Sequence, residues 1–232
     1  MRYWTEVIAI GAVVAVLSVA VLSRQNDLPR ATETAESVVG ASNSFAVRNV
    51  RVFDGRKMID RANVIVRDGL VAEVGKDVPI AEYLTTIDGT GRTMLPGLID
   101  AHTHSWGDAQ RDALRFGVTT EIDMHGDPAR LAAVKRQRES LARIDQADLW
   151  AAGAAVTVAG GHGTQYGLSI PVLDAQTDID AFVAEKIDGG SDFIKLIVED
   201  LSAYSATQRL PTLSARQISD VIAATHRRSR LA

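Results

Sequence analysis

The chain has 232 residues, 46% hydrophobic and 23% charged, which is enough to bury a real core in one or two domains. A net charge of −4 with no long basic tract argues against nucleic acid as a partner. The absence of cysteine excludes disulfides, thiolate metal sites, a cysteine nucleophile and a lipidated N-terminal cysteine, so any metal must be held by His, Asp, Glu or a modified side chain.

Val7 to Leu22 is an uncharged run of 16 residues, interrupted only by Gly11 and Ser18. A core helix of that length would show a polar stripe, and this run has none. It is slightly short for a relaxed membrane span of about 20 residues. It suits a signal-peptide core, with Ser18-Val19-Ala20 offering small residues at a cleavage site. Two readings of residues 1–23 stay open: a cleaved signal peptide, or an uncleaved transmembrane helix that ties the chain to a membrane, with Tyr3 and Trp4 at the interface. Both place the rest outside the cytoplasm, in a periplasmic or other extracytoplasmic space. Residues 24–44 are rich in Ser, Thr, Ala, Asn and Glu, lack apolar periodicity and read as a linker.

From Phe45 the pattern becomes short β segments. Phe45 to Phe53 precedes Asp54-Gly55, Ala62 to Val66 precedes Asp68-Gly69, and Leu70 to Val74 precedes Gly75. Asp-Gly between β-branched runs is a hairpin signal, because glycine accepts the positive φ these turns need. Ile87-Asp88-Gly89-Thr90-Gly91 is a further turn-rich passage. Residues 45–96 therefore read as a small antiparallel β unit.

After Pro96 strands alternate with helices. Strands are predicted over Gly97–Ala101, Val118–Met124, Leu149–Val158 and Asp192–Val198. Helices are predicted over Ala109–Phe116, Pro128–Arg143, Asp178–Ile187 and Ser214 to about Arg228. The second carries Leu131, Val134, Leu141 and Ile144 as its apolar stripe, after an Asp127-Pro128 start. Repeated βα units with apolar strands make a parallel sheet covered by helices. Four units are half of a (βα)8 barrel, whose sites form at the C-terminal strand ends.

Those strand ends carry the candidate chemistry. His102 and His104 alternate with Thr103, so an extended strand presents both imidazoles on one face. They can share a divalent ion or be two surface histidines at a strand end. Glu121, Asp123 and His125 lie at the end of the second strand, with His125 read as a supporting residue. His162 sits in Gly160-Gly161-His162-Gly163, a loop that lets backbone approach a ligand or is a mobile surface. Lys195 lies inside an apolar strand, where an unpaired charge is costly. It is either a nucleophilic amine able to take up carbon dioxide as a carbamate, or a lysine paired with Asp192 or Glu199. His226 in a basic helical run reads as solvated. No phosphate loop and no Gly-x-Ser-x-Gly elbow appears.

The string Ile87-Asp88-Gly89-Thr90-Gly91-Arg92-Thr93-Met94-Leu95-Pro96-Gly97-Leu98-Ile99-Asp100-Ala101-His102-Thr103-His104 resembles the amidohydrolase superfamily, in its imidazolonepropionase-like and prolidase-like branch. Phe116-Gly117-Val118-Thr119-Thr120, Gly160-Gly161-His162-Gly163 and Asp192-Phe193-Ile194-Lys195-Leu196 are similar to that branch's second strand, third loop and fourth strand. The resemblance spans residues 45–232. It implies an α/β fold: an incomplete TIM-like (βα)8 barrel over 97–232, preceded by part of a β-sandwich over 45–96 and by the N-terminal apolar helix. It implies hydrolysis of a C–N bond in an amide, cyclic amide or dipeptide by metal-activated water, with one or two divalent ions, usually zinc. By resemblance His102 and His104 are metal ligands, Lys195 is a carbamate bridging ligand and His162 lies near the substrate. The superfamily draws further ligands and its general base from the fifth, sixth and eighth strands, which this sequence does not contain. No catalytic set is complete in it, so a truncated enzyme is expected, completed by a missing C-terminal half or by self-association. The alternative is a catalytically inactive fragment or interaction module that retains the fold.

Overall fold

The computed structural model describes residues 43–138, 140–142 and 144–232. The expected signal peptide or anchor over residues 1–23 and nearly all of the linker lie outside the described residues. The membrane and transmembrane-helix reading is corrected here: among the described residues no helix is long and apolar enough to cross a membrane. Residues Ser44–Ala232 form one compact unit.

The first sheet is built on β1 (Phe45–Phe53), β2 (Met58–Arg67) and β3 (Leu70–Gly75), which pair in antiparallel order. The Asp68-Gly69 hairpin forms as the sequence suggests, with φ of 50° and 83°, and a type I′ turn requires both values to be positive. The antiparallel expectation fails for the rest. β4 (Thr86–Asp88) and β5 (Thr93–Met94) each pair with β1 in parallel, giving a single mixed sheet and not a sandwich among the described residues. The physical reason is the connection. After β3 the chain crosses to the far side of β1, where the Ala46 amide donates to the Thr85 carbonyl at 2.9 Å. The turn at Ile87–Gly91 thus links two segments that both pair with β1, not with each other. Val47, Val50, Val52, Ala62 and Val64 fill one apolar cluster, and Ala46, Ile65 and Leu84 another.

The second sheet is parallel, in the order β6 (Leu98–Thr103), β7 (Val118–Asp123), β8 (Asp148–Ala151). Helix α1 (Ala109–Arg115) follows β6, and a single 3₁₀ turn (Pro128–Arg130) leads into α2 (Leu131–Arg138) after β7. Helix α2 ends short of the expected Arg143. Leu131 and Val134 are buried, but Leu141 and Ile144 are exposed, so the apolar stripe is half as long as predicted. Arg138 ends the helix with its guanidinium turned inward, onto Asp192.

The third strand also stops early, at Ala151, and the fourth is not a regular strand. Segment 192–198 is tied to its neighbour by one parallel bridge, Val156 to Leu196, through the amides of Val156 and Ile197. Asp192 explains the change. Its amide donates to the Ala151 carbonyl at 3.0 Å, while its carboxylate accepts from the Ala151 amide at 3.0 Å. A side chain thus replaces the backbone carbonyl that a regular ladder would use there. Helices α3 (Ile179–Asp188) and α4 (Ala215–Arg227) complete the unit. Asp178 caps the first, and Ser214 with Gln217 forms a capping box on the second. Phe182, Val183, Val221 and Ala224 close the core between these helices and Val156, Leu173 and Ile194.

Candidate active site at the strand ends

The segment before β6 is fixed by a close approach. A Cβ on Gly97 would lie 1.9 Å from Thr119 Oγ1, so only glycine lets β6 enter beside β7. Leu98 then starts the strand, its amide donating to the Gly117 carbonyl at 2.9 Å. The β6–β7 register runs Asp100 to Glu121 and then Thr103 to Asp123, three residues against two. This bulge re-aims the end of β6, a common device beside functional sites. Beyond it the imidazoles of His102 and His104 stand edge to face, ring centres 5.9 Å apart, and both residues are exposed. The two rings lie together with His102 inside the irregular stretch and His104 one residue beyond β6.

His104 is oriented from behind. Its Nδ1 lies 3.1 Å from the His125 carbonyl oxygen, which can only accept, so Nδ1 carries a proton and in the neutral ring Nε2 keeps its lone pair. Trp106 stacks on the same ring at 6.2 Å between centres. Buried groups hold this corner. Ser105 Oγ donates to Glu121 Oε2 at 2.9 Å, Arg130 donates to the Ser105 carbonyl at 3.0 Å, and Asp123 Oδ1 accepts the His125 amide at 3.1 Å. Glu121 and Asp123 thus support the strand end. Burial raises the Asp123 carboxyl above its ordinary range, against the lowering effect of the His125 amide and the His104 and Arg130 charges. His125 is buried, its Nδ1 accepting the Ala155 amide at 3.0 Å and its Nε2 without a hydrogen-bond partner. Burial, with the His104 charge second, pushes this ring toward its neutral form.

Lys195 is half-buried and lines an open groove of about 690 Å³ with Ala101, Ile122, Met124 and Trp150. The proposed pairing with Asp192 or Glu199 does not occur. Asp192 is bound by Arg138, and Glu199 by His162. No hydrogen bond joins Lys195 to His102 or His104 in the described residues. The lysine whose charge burial opposes is a different one, Lys186 on α3. Desolvation brings it from 10.5 down to about 8, and its Nζ donates to the Ala154 carbonyl at 2.6 Å. Its helical position looks solvent-facing in the sequence, so no sequence signal marked it.

His162 is placed at the same end of the sheet. Its Nδ1 meets Glu199 Oε2 at 2.9 Å and its Nε2 meets the Tyr166 hydroxyl at 2.9 Å. Sequence reading missed both partners. Tyr166 lies four residues on in the same loop and could have been marked, whereas Glu199 was assigned to Lys195 because it is near it in sequence. His226 is exposed on α4, as expected. A cleft of about 750 Å³ between α3 and α4 lies away from these residues, its Asp180 already paired with Arg227 and Arg228. Among the described residues, no group of three or more His, Asp or Glu is arranged to hold a metal ion. His102 and His104 fit as two nitrogen donors, and they do not by themselves make a site.

No family model matches the chain. A dihydroorotase of Mycobacterium tuberculosis is 39% identical over 61 residues, which is 26% of this chain and 14% of that protein. An imidazolonepropionase of a Geobacillus species is 29% identical over 183 residues, covering 62% of this chain and 42% of that protein. Among solved structures, an amidohydrolase superposes with a TM-score of 0.63 at 20% identity, over 81% of this chain and 55% of that one. A structure assigned as a prolidase, from Bifidobacterium longum, gives 0.61 at 20% identity, over 83% of this chain and 49% of that one. The chain thus spans about half the length of these solved structures, and less of the curated relatives it matches. It shares its α/β fold with these amidohydrolase structures and is similar in sequence, over part of its length, to these enzymes.

Proposed function

We propose that the chain carries the first four βα units of a TIM-like barrel, and that they serve a metal-dependent hydrolase cleaving a C–N bond in a small amide, cyclic amide or dipeptide. The observation that carries this reading is the His102–His104 pair, with His104 Nδ1 held on the His125 carbonyl so that Nε2 is free to bind. His102 and His104 would hold a divalent ion, zinc by preference, with Lys195 as a carbamate adding an anionic oxygen. When bound, such an ion polarises the carbonyl of the scissile bond and acidifies a water. The chain's own residues do the rest: Ser105, Glu121 and Arg130 fix the end of β6, and His162 faces the substrate from the third loop. The dihydroorotase, imidazolonepropionase and prolidase names among the similar proteins support small cyclic and dipeptide substrates.

A second reading, a catalytically inactive module, is favoured by the want of a complete ligand set among the described residues. Hydrolysis of dipeptides and cyclic amides by the purified, zinc-supplemented chain, alone and combined with a polypeptide that supplies the later barrel strands, separates the two. Chelator-sensitive hydrolysis that is lost in His102→Ala supports the enzyme. No hydrolysis, or hydrolysis indifferent to both treatments, supports the module.

A further inference from the structure

The third loop and the fourth segment together hold a linear array that the metal reading does not use. Glu199 Oε2 lies 2.9 Å from His162 Nδ1, and His162 Nε2 lies 2.9 Å from the Tyr166 hydroxyl. A carboxylate can only accept, so Nδ1 carries a proton. In the neutral ring Nε2 then has the lone pair and accepts from the phenol. The array is held in place at both ends. Glu199 also accepts the Leu201 amide through Oε1. The loop turns back on itself, with Thr164 Oγ1 donating to the Gly161 carbonyl at 2.8 Å and the Gly163 amide donating to Gln165 Oε1 at 2.7 Å. Exposure is greatest at the Tyr166 end, 59% for that residue against 25% and 32% for the His162 and Glu199 side chains. The hydroxyl therefore ends where a substrate can reach it. The His125 ring lies 6.0 Å from the Tyr166 ring between centres, and burial lowers its affinity for a proton.

We propose that Glu199, His162 and Tyr166 form a proton relay whose terminal hydroxyl serves the departing amine. Its use in C–N cleavage rests on the function proposed above, but the relay itself does not. The donating form carries a second proton, taken from solvent, on Nε2, so that Nε2–H donates to Tyr166 Oη and the phenol O–H points onward. As water adds to the carbon, releasing one proton to solvent, and the C–N bond breaks, the nitrogen takes the bond's electron pair and the Tyr166 Oη proton. Tyr166 takes the Nε2 proton, and His162 ends neutral with Nδ1–H still on Glu199. Glu199 is the positioning residue, since it fixes the tautomer that lets Nε2 exchange a proton with Tyr166.

The reverse transfer can be read without metal or natural substrate. The chain, in chelator, is exposed to p-nitrophenyl acetate, and O-acetylation is followed by mass spectrometry at Tyr166 and at Tyr204, an 80% exposed internal reference. Tyr166 Oη attacks the acetyl carbon, its proton passes to His162 Nε2, and nitrophenolate leaves. We expect Tyr166 to acetylate about tenfold or more faster than Tyr204, as general-base help implies. His162→Gln should bring the ratio to near one, and Glu199→Gln should lower it while the fold is kept. Equal rates in the parent chain, or a ratio unchanged by either substitution, overturn the relay. Because no metal is present, that failure is separate from a failure of the hydrolase reading.

Discussion

Arg138 and Asp192 form a buried two-point pair, Nη1 to Oδ2 at 2.7 Å and Nη2 to Oδ1 at 3.1 Å, that joins the end of α2 to the segment after α3. The same guanidinium donates to the Leu149 carbonyl and lies 3.7 Å above the centre of the Trp150 ring. With side-chain exposures of 6% and 11%, neither partner can turn to water when the other is removed. Arg138→Met should therefore cost about 3 kcal/mol, measured by urea unfolding, because it strands the Asp192 charge. The double variant Arg138→Met/Asp192→Leu should recover part of that loss. Recovery is incomplete because the Ala151 amide then loses its acceptor.

Lys186 makes stability depend on alkaline pH. The folded chain releases its proton at about 8, the unfolded chain near 10.5. Between those values the unfolded state binds more protons, so stability rises with pH across that window. Below about 8 the penalty for burying the charge is fully present, and it is relieved as pH approaches 10.5. The expected gain is about 3 kcal/mol at most. Unfolding titrations at several pH values should show this rise, and Lys186→Met should remove it.

Gly97→Ala tests the close approach of β6 and β7. A methyl group there would meet the Thr119 side chain at 1.9 to 2.6 Å, and the strand must shift to admit it. A loss of about 2 kcal/mol in thermal or urea unfolding is expected, with partial relief on adding Thr119→Gly. An unchanged stability would mean that β6 enters the sheet elsewhere.

Particular residues show what the sequence could and could not reveal. Asp68-Gly69 was legible because one turn type demands positive φ at both positions, and the helix start at Ser214 because serine is a favoured residue there. His102 and His104 were legible as neighbours because they stand two residues apart in sequence. The parallel pairing of β4 and β5 was not, since it depends on which side of β1 the chain crosses to. The irregular fourth segment was not, since its apolar run looks like a strand until Asp192 is seen to replace a backbone partner. Glu199 and His162 are 37 residues apart, and nothing in either segment announces the other. The bulge that re-aims His102 and His104 is likewise a property of the β6–β7 register and not of either strand alone.

The central claim, that His102 and His104 are a pair of metal donors, is tested most directly by zinc affinity. Equilibrium dialysis of the chain against zinc, followed by elemental analysis, compares the parent with His102→Ala/His104→Ala. The account predicts zinc held by the parent and an affinity lower by about tenfold or more in the double variant. Equal zinc binding by the two proteins, or none by the parent, would contradict it.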